Sequence, residues 1–537
     1  MPGSICGRAA HCVLLLSVLI AACPLARGAD GATDASSARA HVASGELIGA
    51  LHEGVARFAG IPYAAPPVGE LRWRPPQPPV HWPAPRDATV FGPSCAQAQV
   101  PARVQPGAER LSEDCLTLNV WAPADTTTTH PVMVWIHGGG NTAGTGANAF
   151  YDGTAFARDG VILVTLNYRL GLLGFFAHPA LTHEARQEPF GNYALMDQIA
   201  ALQWVRRNIA SFGGDPGNVT VFGESAGALD ILALMASDAA RKTFDKAIVE
   251  SAGIWSGWPT LASAEGSGTQ IAKHLGLPAE RATARELRRL SVEALTGDLG
   301  DRGDLGARIG MGPIIDGRLL REPPPAAFAR HRAAAVPLII GSNNDEGSLL
   351  GAETRVTAAL PEAAPSELMG LRTLYGTDVG DDAGFARALF RDAHFAAPAR
   401  WIASHAAPRA PAYLYRFDYV MSLLRGRRSG ANHGSEIPFV FDSWMAQRLS
   451  DEDRRLTALV HACWIAFAKS GAPSCAGAVS WTPYQPDHDT QLVFGDPLTM
   501  RTPAHAALLD ALAQRVMPFG RLVPDLNENR ASVPRVP

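Results

Sequence analysis

Short, almost wholly apolar runs alternate with helically spaced ones through the middle of the chain. Val132 to Ile136 (VMVWI), Val161 to Leu166 (VILVTL), Val219 to Phe222 and Val336 to Ile340 (VPLII) have the pattern of strands buried on both faces. Between the second and third of these runs, Ala194 to Asn208 (ALMDQIAALQWVRRN) carries apolar residues at helical spacing and gives way to the turn chemistry of Gly213-Gly214-Asp215-Pro216-Gly217. Strand and helix alternate, which predicts an α/β fold with a large, mostly parallel central sheet and helices on both faces. Upstream, Gly45 to Tyr63 reads as short strands broken by Gly49, Gly54 and Gly60, and the Pro-rich stretch through Pro79 excludes helix or central strand. Residues 260–310 and 352–410 are rich in Ala, Leu and Arg and read as mainly helical.

The N-terminus breaks this pattern. Arg8 precedes the apolar run Val13 to Ala22, and small residues lead to Gly28. That is the layout of a signal peptide over residues 1–28, with a run too short to span a bilayer. Cleavage after Gly28 gives an exported chain, periplasmic or secreted. The string Ile20-Ala21-Ala22-Cys23 instead resembles a lipoprotein box, which would anchor the chain to a membrane through Cys23. Residues 29–41 read as a flexible linker, 42–520 as one domain and 521–537 as a C-terminal tail.

Composition narrows the function. With 47% hydrophobic residues and a net charge of −4, the chain can fold around a large core and offers no general basic field for nucleic acid. Setting aside Cys6, Cys12 and Cys23 in the leader, four cysteines remain, an even set suited to an oxidising compartment. Proximity suggests Cys95 with Cys115 and Cys463 with Cys475; free buried thiols are the alternative for each pair. The sequence contains no Cys-x-x-Cys, His-Glu-x-x-His or nucleotide-binding glycine motif, so no metal or cofactor is expected.

Candidate chemistry begins at Gly223-Glu224-Ser225-Ala226-Gly227. A Gly-x-Ser-x-Gly string alone is weak, but this one follows an apolar strand and precedes the helical run Leu229 to Met235. A strained strand-to-helix turn would lift the Ser225 hydroxyl above the sheet edge. Serine then needs a base, an acid to orient that base, and donors for an oxyanion. His137-Gly138-Gly139-Gly140 directly follows VMVWI, so its backbone N–H groups stand at a carboxyl strand end. Glu346, past VPLII, is the candidate acid, with Asp345 its rival. Among His394, His405, His433, His461, His488 and His505, the loop position of His433 favours it, although spacing leaves the others open.

The chain resembles the type-B carboxylesterase family, which includes the cholinesterases and bacterial para-nitrobenzyl esterases, over roughly residues 45–515. The resemblance rests on GIPYAAPPVGELRW (60–73), SEDCLTLNVWAP (112–123), WIHGGG (135–140), NYRLGLLGF (167–175), the long string from Gly191 to Gly227, NNDEGS (343–348) and HGSEIPFVF (433–441). It implies an α/β-hydrolase fold with helical insertions over a gorge. It further implies Ser225 as nucleophile, Glu346 as acid and His433 as base, with Gly139, Gly140 and Ala226 as oxyanion donors and a Cys95–Cys115 disulfide. Asn141 departs from the aromatic residue common after the three glycines, and Ala194 replaces a common glycine. No convincing match exists for the choline-binding aromatics.

The implied activity is hydrolysis of small carboxylic esters by water in two acyl-transfer steps, with no obligate protein partner. A neutral His433 is required, so activity should rise with pH through a group near 6 to 7. A lipase working at an oil interface and a non-catalytic recognition protein are the other readings. Finally, Arg425, Arg427 and Arg428 precede His433. They read either as an exposed charged loop or as a field that steers anionic esters.

Overall fold

The structure is a computed structural model that describes residues 37–517, apart from 99–106, 108–109, 126, 254–256, 298–311, 352–354, 362 and 445–448, together with 522–523. The expected signal peptide and most of the expected tail lie outside the described residues.

Twelve strands form the spine of the main sheet. In chain order they are β1 (Ser37–Val42), β2 (Gly45–His52), β3 (Val55–Pro62), β4 (Thr117–Pro123), β5 (His130–Ile136), β6 (Ile162–Leu166), β7 (Gly214–Glu224), β8 (Lys246–Glu250), β9 (Leu338–Asn343), β10 (Ala412–Phe417), β11 (Gln491–Phe494) and β12 (Thr499–Arg501). Their spatial order is β1-β2-β3-β4-β6-β5-β7-β8-β9-β10-β11-β12, with Arg86–Asp87 paired to β2 as a thirteenth strand. From β6 to β11 every neighbouring pair is parallel, and the antiparallel pairings lie at the two margins. The four apolar runs therefore become β5, β6, β7 and β9 at the centre. Residues 37–41, expected as linker, instead form most of β1, because His41 and its neighbours pair in register with Gly45 to Ala50 across a tight turn.

Alternate side chains of the central strands feed two cores. On one face Val132, Val134 and Ile136 meet α1 (Tyr193–Asn208) and α2 (Ala226–Ala236); on the other Met133 and Trp135 meet α3 (Asp451–Ser470) through Trp464 and Phe467. Burial on both faces is why these strands read as continuous apolar runs. Gly214 to Gly217, expected as a turn, begins β7 instead, and the register shifts between Gly214 and Val219. Both cysteine pairs are joined, Cys95 to Cys115 and Cys463 to Cys475. Among the described residues no helix is long and apolar enough to cross a membrane.

Candidate active site

β7 ends where α2 begins, and Ser225 is the joint. Its φ of 57° and ψ of −122° place it at positive φ, outside the backbone regions ordinary for a non-glycine residue. Such a residue costs on the order of 1–3 kcal/mol and persists only where its surroundings enforce it. Here glycines do so: a Cβ on Gly227 would stand 2.0 Å from Ile136 O, and one on Gly223 would stand 2.5 Å from the same oxygen. Only bare backbone lets the turn close against β5. Ser225 is 8% exposed, and its N–H donates to Glu250 O at 2.9 Å.

β5 runs out into the glycine loop beside this turn. His137 stacks on Tyr168 with ring centroids 4.4 Å apart, and Tyr168 OH donates to His137 O at 2.7 Å. His137 Nδ1 donates to Gly138 O at 2.8 Å, while burial pushes the ring's pKa down to about 4. His137 is thus a neutral prop and no rival base. A Cβ on Gly138 would meet Glu224 Oε2 at 2.7 Å and Ser225 Cβ at 3.0 Å, so the loop lies directly against the elbow. Gly139 and Gly140 have φ of 107° and 63°. Among the described residues the N–H groups of Gly139, Gly140 and Ala226 donate to no protein acceptor. Two of these unspent donors follow Gly138, which lies against Ser225, and the third follows Ser225 itself.

His433 follows β10, in a loop that runs beside the end of β9. Its Nδ1 donates to Glu346 Oε2 at 2.6 Å, and Glu346 Oε1 accepts from Asn343 N at 2.8 Å. Glu346 is fully buried. Asp345 serves elsewhere, accepting from Arg387 Nη2 and from Ser429 Oγ, each at 2.6 Å. His394, His405, His461 and His505 contact Ala359 O, Trp401 O, Val440 O and Asp378, whereas His433 bonds Glu346. The other imidazole nitrogen of His433, Nε2, lies 3.1 Å from Glu224 Oε1, one residue before the serine. Among the described residues no hydrogen bond joins it to Ser225 Oγ. In an unliganded site that contact is often formed only when substrate arrives.

Three buried carboxyls, Glu224, Glu346 and Glu436, act on His433, and a fourth, Glu250, acts on Glu436 and Glu224. Burial raises Glu224 to about 7 and Glu436 to about 8, and it raises Glu250 well above the carboxylate range. Burial by itself would push His433 down, yet the charges of Glu224 and then Glu346 more than offset it and raise the imidazole to about 10. The expected value near 6 to 7 therefore moves upward. Glu224 lies inside the serine pentapeptide and Glu436 three residues past His433 in HGSEIPFVF, whereas Glu250 comes from a separate segment that no local pattern links to them.

Asn141 is fully buried; its amide is engaged by Asp230 and Tyr168. Arg425 Nη1 donates to Glu452 Oε2 at 2.9 Å and the guanidinium lies 5.1 Å from the Tyr419 ring centroid. Arg427 and Arg428 form no ion pair among the described residues, and Arg428 Nη1 reaches Ser435 Oγ at 3.4 Å.

Residues 36–370 and 378–509 match the family described as the Carboxylesterase family. The fumonisin B1 esterase of Sphingopyxis macrogoltabida is 38% identical over 474 residues, 83% of this chain and 84% of that one. The para-nitrobenzyl esterase of Bacillus subtilis (strain 168) is 36% identical over 480 residues, covering 85% and 94%. A solved PNB esterase structure superposes with a TM-score of 0.77 at 34% identity, covering 88% of this chain and 99% of that one.

Proposed function

Since the chain belongs to the carboxylesterase family and is a carboxylic ester hydrolase of the α/β-hydrolase fold, we propose that it works through an acyl-enzyme on Ser225, with His433 as base and Glu346 as orienting acid. The observation that carries this reading is the 2.6 Å bond from His433 Nδ1 to Glu346 Oε2, which leaves Nε2 on the side of the strained serine elbow.

In the first step Ser225 Oγ attacks the ester carbonyl while its proton passes to His433 Nε2, which exchanges its contact with Glu224 for one with the hydroxyl. The carbonyl oxygen becomes an oxyanion held by the N–H groups of Gly139, Gly140 and Ala226. The C–O bond to the alcohol then breaks, and the alcohol departs with the proton from Nε2. Water repeats the sequence on the acyl-enzyme, giving the carboxylic acid and restoring Ser225. Glu346 keeps its charge throughout and balances the imidazolium.

Pre-steady-state hydrolysis of a p-nitrophenyl ester tests this reading. A burst of one p-nitrophenolate per enzyme is expected, provided deacylation is slower than acylation, and Ser225→Ala should abolish both burst and turnover. A burst retained in Ser225→Ala would overturn it.

The basic cluster enters the proposal in reduced form. Glu452 compensates Arg425, so steering of anionic esters rests on Arg427 and Arg428. Neutralising both should raise KM for a carboxylate-bearing ester more than for its neutral analogue; equal effects would reject the idea. The chain is also proposed to be exported, a reading supported by its two disulfides and the leader-like sequence ahead of Gly28.

A further inference from the structure

Asp230 is a fully buried carboxyl that the proposed acyl transfer does not use. It stands on α2, four residues beyond Ala226, hence one turn along the same helical face as one of the three proposed oxyanion donors. One of its oxygens, Oδ1, accepts from Asn141 Nδ2 at 3.1 Å, and Oδ2 accepts from Gln198 Nε2 of α1 at 2.6 Å. Burial pushes the group up to about 7, against the pull of those two amides. No ion pair reaches it among the described residues; the titratable group beside it is the Tyr168 phenol, which Asp230 helps to raise.

Asn141 is the residue immediately after the glycine loop. Its φ of 58° lies in the left-handed region, its carbonyl accepts from Gly171 N at 2.7 Å, and its Oδ1 accepts from Tyr168 OH at 3.3 Å. Every polar atom of this side chain is thus occupied inside the protein. The phenol has one proton, given chiefly to His137 O at 2.7 Å and shared with Asn141 Oδ1 at the longer 3.3 Å, so one network touches the loop at its entrance and at its exit. An aromatic at position 141 would keep the backbone bond from Gly171 but would lack the amide that bonds Asp230 and Tyr168.

Resting on the acyl-transfer reading above, we propose that Asp230 is a positioning residue: through Asn141 it locks the left-handed turn that aims the Gly139 and Gly140 N–H groups, and it ties that loop to the helix that presents the Ala226 N–H. Keeping an uncompensated carboxyl in the core is costly. Its contribution is to hold donors from two different chain segments in one fixed relation, the preorganisation on which oxyanion stabilisation depends.

The test combines Asp230→Leu, Asp230→Asn, Asn141→Ala and the Asp230→Leu/Asn141→Ala pair in the full chain, with a p-nitrophenyl ester. Misplaced donors should lower kcat and kcat/KM together by about 10- to 100-fold with KM little changed, because they act in the transition state. Affinity for a trifluoromethyl ketone should fall by the same factor. Asp230→Asn, which retains an acceptor for Asn141, should recover kcat to within about threefold of the parent, as expected if a neutral acceptor suffices. In the double variant the Asp230→Leu effect should largely vanish, since the two residues act in series. Independent effects that simply multiply, or loss in Asp230→Leu that follows thermal midpoint alone and is not rescued by Asn, would overturn the proposal. An inactive Ser225→Ala alongside an unaffected Asp230→Leu would reject the positioning role and leave the acyl-transfer reading standing.

Discussion

His433 is the residue whose environment departs most from what its loop sequence suggests. Its acid partner and Glu224 both lie within contact, and both favour the imidazolium. As the proposed base, His433 must be neutral to accept the serine proton, so activity is expected to disappear as pH falls through the His433 pKa. A raised pKa therefore moves the acid limb to higher pH. Replacing Glu224 by Gln removes the largest of the three raising charges, and the limb of kcat/KM should move down by about one unit or more. A limb that stays in place would show that Glu224 carries no charge in the working enzyme. At the serine itself, Ser225→Ala should leave the fold intact and reduce turnover by about 10³-fold or more.

At the scale of elements, the elbow shows what a linear reading can and cannot reach. The strand, the pentapeptide and the following helix were legible because apolar period, glycine placement and strand-to-helix order all agree at Val219 to Met235. The reason for the glycines lies elsewhere, in the backbone of β5, and is stated by a single distance. Gly227→Ala would force a methyl carbon to within 2.0 Å of Ile136 O. It should lower the thermal midpoint and activity together, at a cost of at least about 1–3 kcal/mol; a parent-like midpoint would mean that the elbow can open without loss. Strand β8 went unread, since Lys246 to Glu250 has charged residues at both ends and is buried by its neighbours and not by its own composition. The same holds for the site's outer members. Glu346 and His433 could be narrowed to a few candidates by order and loop position, whereas Asp230, Gln198 and Asn141 meet only because α1, α2 and the glycine loop pack together.

Across the whole molecule, stability depends on a few long-range ties. Arg169 and Asp197 form a buried bidentate pair, with Nη2 to Oδ1 and Nε to Oδ2 both at 2.7 Å, and the guanidinium also donates to Arg74 O. Removing only the acid, as in Asp197→Leu, leaves a buried charge and should cost about 3–5 kcal/mol of unfolding free energy. Denaturant titration measures it, and a loss below about 1 kcal/mol would mean that water reaches Arg169. The Cys95–Cys115 bridge closes a loop of sequence separation 20. Exchanging both cysteines for Ser should cost about 3 kcal/mol while sparing the active site chemistry. Three segments, those following β7, β9 and β10, are proposed to deliver one hydroxyl, one carboxylate and one imidazole to a single proton-transfer site. The most direct measurement of this convergence is peptide mapping of the chain after reaction with a fluorophosphonate. A single adduct is expected on Ser225, absent from Ser225→Ala and formed far more slowly in folded His433→Ala. An adduct on another residue, or labelling of Ser225 at an unchanged rate without His433, would contradict the account.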